Sequence, residues 1–444
     1  MGWARHVPLL ALAVVAAWTF LPWLSPSPDH ARGSSVRGAA AGKAPTAGPE
    51  APSALLHRGG AGPILALGAK CPRGGSYPPY RPLGELLRAW NPNQPEAPPG
   101  FRETLAVLDY SNSTERAWAE VLRDCELPFK LYGVPDADYA AARWTDEYLA
   151  RNMQDQRLNV MRSASNRHMY WKGRKGEAPA SWNAPTTSVN WSYERWKAWA
   201  DGADRRRIGP DEEHMYLTTG VKKEAKTPPK TGEFIADDLP FFSTSEENFF
   251  ITNVEKQKGI QCRFGARGII AESHFDHGKN FVLMLRGWKR YVLNPPSACP
   301  GLGIISDKEH PSYRHSAVDW ADEGAWPRGF SEAEAVETML KAGDLLYIPS
   351  FWYHYIVSSG FNVQCNARSG HPPGMEGFDE TKACLGPLGK SQALTKQRRE
   401  DKERKRRKRL EKELALAREV QGMQDSGGSG DGGGDDGGSG GKQR

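Results

Sequence analysis

Residues Glu272–Pro296, ESHFDHGKNFVLMLRGWKRYVLNPP, decide how this chain reads. The stretch sets a histidine at 274, an aspartate at 276 and a lysine at 289 among short apolar runs broken by Gly287 and Pro295. Runs rich in β-branched and aromatic residues, bounded in this way, read as strands. Residues two apart on a strand share a face, so His274 and Asp276 project together and Phe275 projects away. A His-x-acid triplet arises by chance about once in a chain this rich in acids, so its meaning rests on what surrounds it.

Downstream, GDLLYIPSFWYHYIVSS (residues 343–359) supplies a second histidine, His354. Gly343-Asp344 reads as a turn that starts a strand, Pro349 ends that strand, and His354 opens the next. Two histidines and one carboxylate on one side of a metal leave its remaining positions open, the facial triad of non-haem iron(II) sites. Arg286-Gly287 reads as a tight turn that returns Lys289 on the antiparallel neighbour of the Asn280–Leu285 strand. A lysine inside a barrel needs an anion, because an unpaired buried charge is costly. A dicarboxylate chelating iron at one end and held by Lys289 at the other meets both demands. Singly, His274 or His354 would read as a hydrogen-bonded structural residue. The order and spacing of all four groups carry the inference. Trp288, Trp352 and Tyr353 read as packing residues, and His277 has no assigned role.

The wider chain fits one large folded unit. From Phe249 onward, GARGIIAESHF, NFVLMLRG, WKRYVLNP, GDLLYIPS, YHYIVSS and FNVQCNA are short β-rich runs punctuated by Gly and Pro. Many short strands with no long helix between them argue for a barrel or sandwich. RAWAEVLRDC and ARWTDEYLARNM read as helices flanking a strand in LPFKLYGVP, and residues 155–240 read as irregular with short strands.

Residues of about 249–370 resemble the JmjC (cupin-like) family of iron(II)- and 2-oxoglutarate-dependent oxygenases. The likeness is strongest to the asparaginyl hydroxylase that inhibits hypoxia-inducible factor. HFDHGKNFVLMLRGWKRYVLNPP, GDLLYIPSFWYH and NVQCNA carry it, and GVPDADYAAARWTDEYLARNM extends it to about 125–370. The resemblance implies a mainly β fold with flanking helices around a double-stranded β-helix (jelly-roll, cupin) core. It implies His274, Asp276 and His354 as catalytic iron ligands and Lys289 as the partner of the far carboxylate of 2-oxoglutarate. It also implies Asn280 and Asn366 as residues that position the co-substrate. The chain departs from the family at Ala271, three positions before the first histidine, where a hydroxyl residue often stands.

The activity so implied is a dioxygenase reaction that consumes molecular oxygen, hydroxylates a protein or peptide side chain, and releases succinate and CO2. Lysine demethylation fits less well, since no zinc-finger spacing accompanies the domain. Two rival readings are a metal-binding cupin enzyme that does not use 2-oxoglutarate and a membrane-tethered, non-catalytic cupin-like binding protein.

The ends of the chain read differently from its middle. Residues 7–24 form an uncharged apolar run behind Arg5, the order of a secretory signal peptide or signal anchor, here residues 1–25. This predicts the secretory pathway, in the endoplasmic reticulum or Golgi, as lumenal or membrane-anchored protein. An organelle transit peptide is the alternative. Residues 26–100 are rich in Pro, Gly and Ala and read as a stem or linker. The oxygenase domain is expected at 101–385, a basic exposed helix at 386–420 and a disordered Gly/Asp tail at 421–444. Lys396–Lys412 holds eleven basic and four acidic residues, more than the whole net charge of +6. The rest of the chain is therefore near neutral, and no nucleic-acid partner is indicated. Six cysteines without a Cys-x-x-Cys pair exclude a zinc ribbon and allow one or two disulfides. Asn112-Ser-Thr and Asn190-Trp-Ser are glycosylation sequons.

Overall fold

The computed structural model describes residues 71–385, apart from 73–76, 155–156, 173–181, 223–229, 309 and 373–376, together with Arg407 and Glu411. The N-terminal apolar run, much of the expected stem, and nearly all of the basic segment and tail lie outside the described residues. Among the described residues no helix is long and apolar enough to cross a membrane.

The chain runs through β1 (Arg81–Pro82), α1 (Leu83–Ala89), β2 (Ala106–Asp109), α2 (Ser113–Asp124), β3 (Phe129–Tyr132), α3 (Pro135–Arg143) and α4 (Asp146–Asn152). It continues with β4 (Leu158–Ser163), β5 (Arg167–His168), β6 (Thr187–Trp191), α5 (Tyr193–Arg206), β7 (His214–Val221) and α6 (Lys230–Asp238). The last group is β8 (Gln257–Gly265), β9 (Ile270–Phe275), β10 (Asn280–Arg286), β11 (Trp288–Asn294), β12 (Glu334–Lys341), β13 (Leu345–Ile348), β14 (Tyr353–Ser358), β15 (Asn362–Ser369) and α7 (Phe378–Leu385).

Helix starts follow local chemistry. The Asn112 side chain accepts from the amides of Thr114 and Glu115 to begin α2, and Ser192 does the same for Arg195 at α5. Both sequon asparagines, Asn112 and Asn190, are exposed.

Two sheets face each other. One has six strands in the order β1-β12-β11-β14-β9-β5, and the other nine, β2-β3-β13-β10-β15-β8-β7-β4-β6. Strands β8 to β11 alternate between them, and so do β12 to β15, which is the double-stranded β-helix. Residues 280–294 are accordingly not the hairpin that the sequence suggested. β10 pairs with β13 and β15, whereas β11 pairs with β12 and β14 in the opposite sheet. Gly287 makes the crossing with φ +63, and a Cβ there would lie 2.3 Å from the Phe361 carbonyl oxygen. Lys289 still enters the barrel, but from the wall facing β10.

Apolar residues alternate on these strands and sort into layers. Val282, Met284, Leu346 and Ile348 meet Tyr291, Leu293 and Ile356 in the interior between the sheets. The outer face of the large sheet is covered by Ala137, Ala140 and Trp144 from the α3 region, and by Trp196 and Ala200 of α5. The outer face of the small sheet is covered by Leu83, Leu86 and Leu87 of α1.

Folding therefore begins earlier than the compositional boundary at 101. β1 pairs with β12, and α1 is fastened by the fully buried Arg290, which donates to the carbonyls of Leu86 and Trp90 and to Glu337. Residues 155–240, expected to be irregular with short strands, supply the short strands β4 to β7 and, beyond that expectation, the helices α5 and α6; β4, β6 and β7 widen the large sheet and β5 extends the small one. All six cysteines pair, as Cys71–Cys125, Cys262–Cys365 and Cys299–Cys384, one bridge more than the sequence reading allowed.

Candidate active site

His274 and His354 are register partners across β9 and β14, with ring centroids 4.3 Å apart. Asp276 follows just beyond the end of β9. One ligand atom from each of the three side chains lies within 4.8 Å of the others. The Nδ1 of His274 lies 2.7 Å from the Glu272 carbonyl, and that of His354 lies 3.1 Å from the Trp352 carbonyl. A carbonyl only accepts, so each Nδ1 carries the hydrogen and each Nε2 keeps its lone pair for a metal.

Electrostatics set the same protonation states. Burial, with the neighbouring rings of His354 and His315, keeps His274 well below the usual histidine range. Burial likewise lowers His354. Burial by itself would raise Asp276, but Arg368, 2.6 Å away, together with the nearby histidines, outweighs it and keeps the carboxyl ionised. Two neutral imidazoles and one carboxylate form a donor set that fits a divalent iron. The His315 ring stacks on His274 at 5.0 Å and supports its orientation.

Register accounts for the position of Ala271. Between the pairs His354↔His274 and Ile356↔Ala271, β9 carries one extra residue, a β-bulge. Ala271 and His274, three apart, thus both face the interior, and Ala271 brings no hydroxyl there.

Lys289, also fully buried, lies two residues from Tyr291 on the interior face of β11. Its ammonium donates to the hydroxyl of Tyr216 on β7 at 3.0 Å, and no carboxylate pairs with it among the described residues. Burial, and then the charge of Arg263, push this lysine well below its ordinary value. The surroundings thus supply a neutral hydroxyl and a like charge, an arrangement that an incoming carboxylate would relieve. The pocket fits the far end of a dicarboxylate.

Asn280 and Asn366 hold each other, with the Asn366 amide donating to the Asn280 side-chain oxygen at 2.8 Å. All six residues singled out in the sequence line the barrel interior or its rim. Tyr216, Arg263 and Arg368 went unnoticed there. Tyr216 stands in HMYLTTGV, and Arg263 and Arg368 are polar members of QKGIQCRFG and NVQCNARS, where polar and apolar residues alternate. That alternation marks an inward polar face only once the partner strands are known. His277 is exposed beside Arg314 and does not reach the triad.

Comparison with known proteins agrees with this architecture. A family model described as a cupin-like domain matches residues 119–367, more than half of the chain. The tRNA wybutosine-synthesizing protein 5 of Gallus gallus is 28% identical over 37% of this chain and 49% of its own length. The lysine-specific demethylase JMJ31 of Arabidopsis thaliana is 31% identical over 38% of this chain and 29% of its own. The bifunctional peptidase and (3S)-lysyl hydroxylase JMJD7 of Homo sapiens is 24% identical over 21% and 36%, respectively. The match spans about half the length of the wybutosine-synthesizing protein 5 relatives. By fold and by sequence, the chain belongs to the cupin-like domain family, with relatives among the JmjC oxygenases.

Proposed function

We propose that this protein is an iron(II)- and 2-oxoglutarate-dependent oxygenase that hydroxylates a protein side chain. The observation that carries the reading is Lys289, a buried ammonium without an anionic partner among the described residues, in the barrel that also holds the His274, Asp276 and His354 donor set. When bound, iron would supply the activation of oxygen that the side chains cannot. The sum of the reaction is 2-oxoglutarate, O2 and a C–H bond giving succinate, CO2 and a C–OH bond.

The residues of the chain have separate tasks. His274, Asp276 and His354 would hold the metal through two imidazole nitrogens and one carboxylate. Lys289 and the Tyr216 hydroxyl would bind the far carboxylate and so orient the co-substrate in the barrel. Asn280 and Asn366, fixed by each other, present amide groups at the co-substrate's flank. Arg368 keeps Asp276 ionised and oriented. Val282, Met284, Ile348 and Ile356 keep water from the interior.

A protein substrate is favoured over tRNA by the cysteines. Three disulfides among six cysteines suit an oxidising compartment such as the secretory lumen, where proteins are the abundant polymer.

The test is a calorimetric titration of 2-oxoglutarate into the full chain loaded with Mn(II). Lys289→Ala should weaken binding by roughly 100-fold or more, since it removes the partner of a partly buried charge. Mn(II) binding should persist. Equal affinity in the two proteins would return the site to a metal cupin that does not use this co-substrate.

A further inference from the structure

The distal pocket holds a second cation besides Lys289. Arg263 on β8 is the register partner of Thr218 on β7 and of Gln364 on β15. On β8 it alternates with Cys262 and Phe264, which face the outer core, so its side chain belongs to the interior face. Each of its flanks leads back to Lys289. On one, Tyr216 shares the face of Thr218 on β7 and accepts from Lys289 at 3.0 Å. On the other, Gln364 accepts from the hydroxyl of Tyr291, two residues along β11 from Lys289. Lys289, Tyr216, Arg263, Gln364 and Tyr291 thus close a ring around one pocket.

Arg263 has no acidic partner in this ring. Its one hydrogen bond among the described residues goes to the adjacent Cys262 carbonyl at 3.2 Å, which leaves most of its five donors unused. The carboxylate whose charge it feels, Asp276, is already engaged by Arg368 at 2.6 Å. Burial lowers Arg263, and the charge of Arg263 in turn lowers Lys289. Two cations therefore face one pocket in mutual repulsion, next to the position where Ala271 leaves the wall without a hydroxyl.

We propose that Arg263 is a second cationic anchor for the far carboxylate of the co-substrate, in the place of the missing hydroxyl. By this role it sets the specificity of the pocket for a dicarboxylic 2-oxo acid. The proposal rests on the 2-oxoglutarate reading above. An arginine fork holds a carboxylate through two parallel bonds, where a hydroxyl offers one. A single carboxylate then answers both cations, and a 2-oxo acid ending in a methyl group answers neither.

The experiment uses the full chain loaded with Mn(II), titrated calorimetrically with 2-oxoglutarate and with 2-oxopentanoate, which lacks the far carboxylate. Arg263→Met should weaken 2-oxoglutarate at least about 30-fold and leave 2-oxopentanoate within about twofold, so the preference collapses. Near-ultraviolet circular dichroism and retained Mn(II) binding report folding. Should the Met variant not fold, Arg263→Gln, neutral but polar, is measured in its place with the same expected loss. An unchanged preference in the Arg263 variant beside a lost one in Lys289→Ala overturns the role of Arg263 alone. A wild-type protein that binds neither acid overturns both this role and the 2-oxoglutarate reading.

Discussion

The ammonium of Lys289 donates to the hydroxyl of Tyr216 at 3.0 Å, across the interior of a barrel whose sequence supplies no hydroxyl at Ala271. Tyr216 thereby brings a hydroxyl to Lys289 from a strand outside the eight that form the β-helix. Tyr216→Phe should weaken 2-oxoglutarate by roughly 10-fold or somewhat more, the worth of one hydrogen bond to a charged group. Ala271→Thr in that background should restore part of the loss. Calorimetry on the Mn(II) protein measures both, and an unchanged affinity in Tyr216→Phe would place the phenol outside the pocket.

Protonation of Lys289 is coupled to the same binding event. In the free protein, burial and Arg263 depress this lysine, while Tyr216 and Tyr291 beside it are phenols whose burial keeps them neutral. Folded, it binds fewer protons than the unfolded chain at any pH between its lowered value and the ordinary lysine value. Its contribution to stability therefore improves as pH rises through that window. An anion favours the charged form, so co-substrate binding should take up a proton there, and affinity should fall as pH rises. Calorimetry in buffers of different ionisation enthalpy reads the uptake. It should vanish in Lys289→Met, and no uptake in the wild type at alkaline pH would contradict the buried position of the ammonium.

Arg290 holds α1 to the barrel through Glu337 and two helix carbonyls, in a fully buried setting. Arg290→Met leaves Glu337 buried without a partner and should cost about 3–5 kcal/mol. The melting temperature should drop on the order of 10 °C. Arg290→Met with Glu337→Leu should recover much of that loss, because the stranded charge is gone. A double variant no more stable than the single one would assign the loss to the helix carbonyls.

The three disulfides predict chemistry that is simple to read. Protein denatured without reductant should show no titratable thiol, since all six cysteines are paired. Cys262–Cys365 joins register partners on β8 and β15, within the wall that carries Arg263. Replacing both by Ala should cost about 2–5 kcal/mol. Two or more free thiols per chain in freshly purified protein would contradict the pairing.

The site was more legible in the sequence than its framework. His274, Asp276 and His354 could be read because period two on a strand and a Gly-Asp turn are local features. The need of Lys289 for an anion could be inferred because a buried charge demands one wherever it sits. What sequence hides is long-range pairing. The turn at Gly287 is local, yet whether it folds β11 back onto β10 or across to the other sheet is decided by β12 to β15, residues far along the chain. Tyr216 and Arg263 were hidden for the same reason, since strand alternation does not tell which face becomes the inside. The buried leucines of α1 were masked by the proline-rich composition around them.

The most direct test of the whole account is succinate formed from 2-oxoglutarate by the full chain under oxygen with Fe(II), beside His274→Ala, Asp276→Ala and His354→Ala. The wild type should turn over repeatedly and lose activity on chelation. Each variant, lacking one side chain of the three-residue donor set, should fall to the level of free iron. Wild-type rates in all three variants, or no metal-dependent succinate from the wild type, would contradict it.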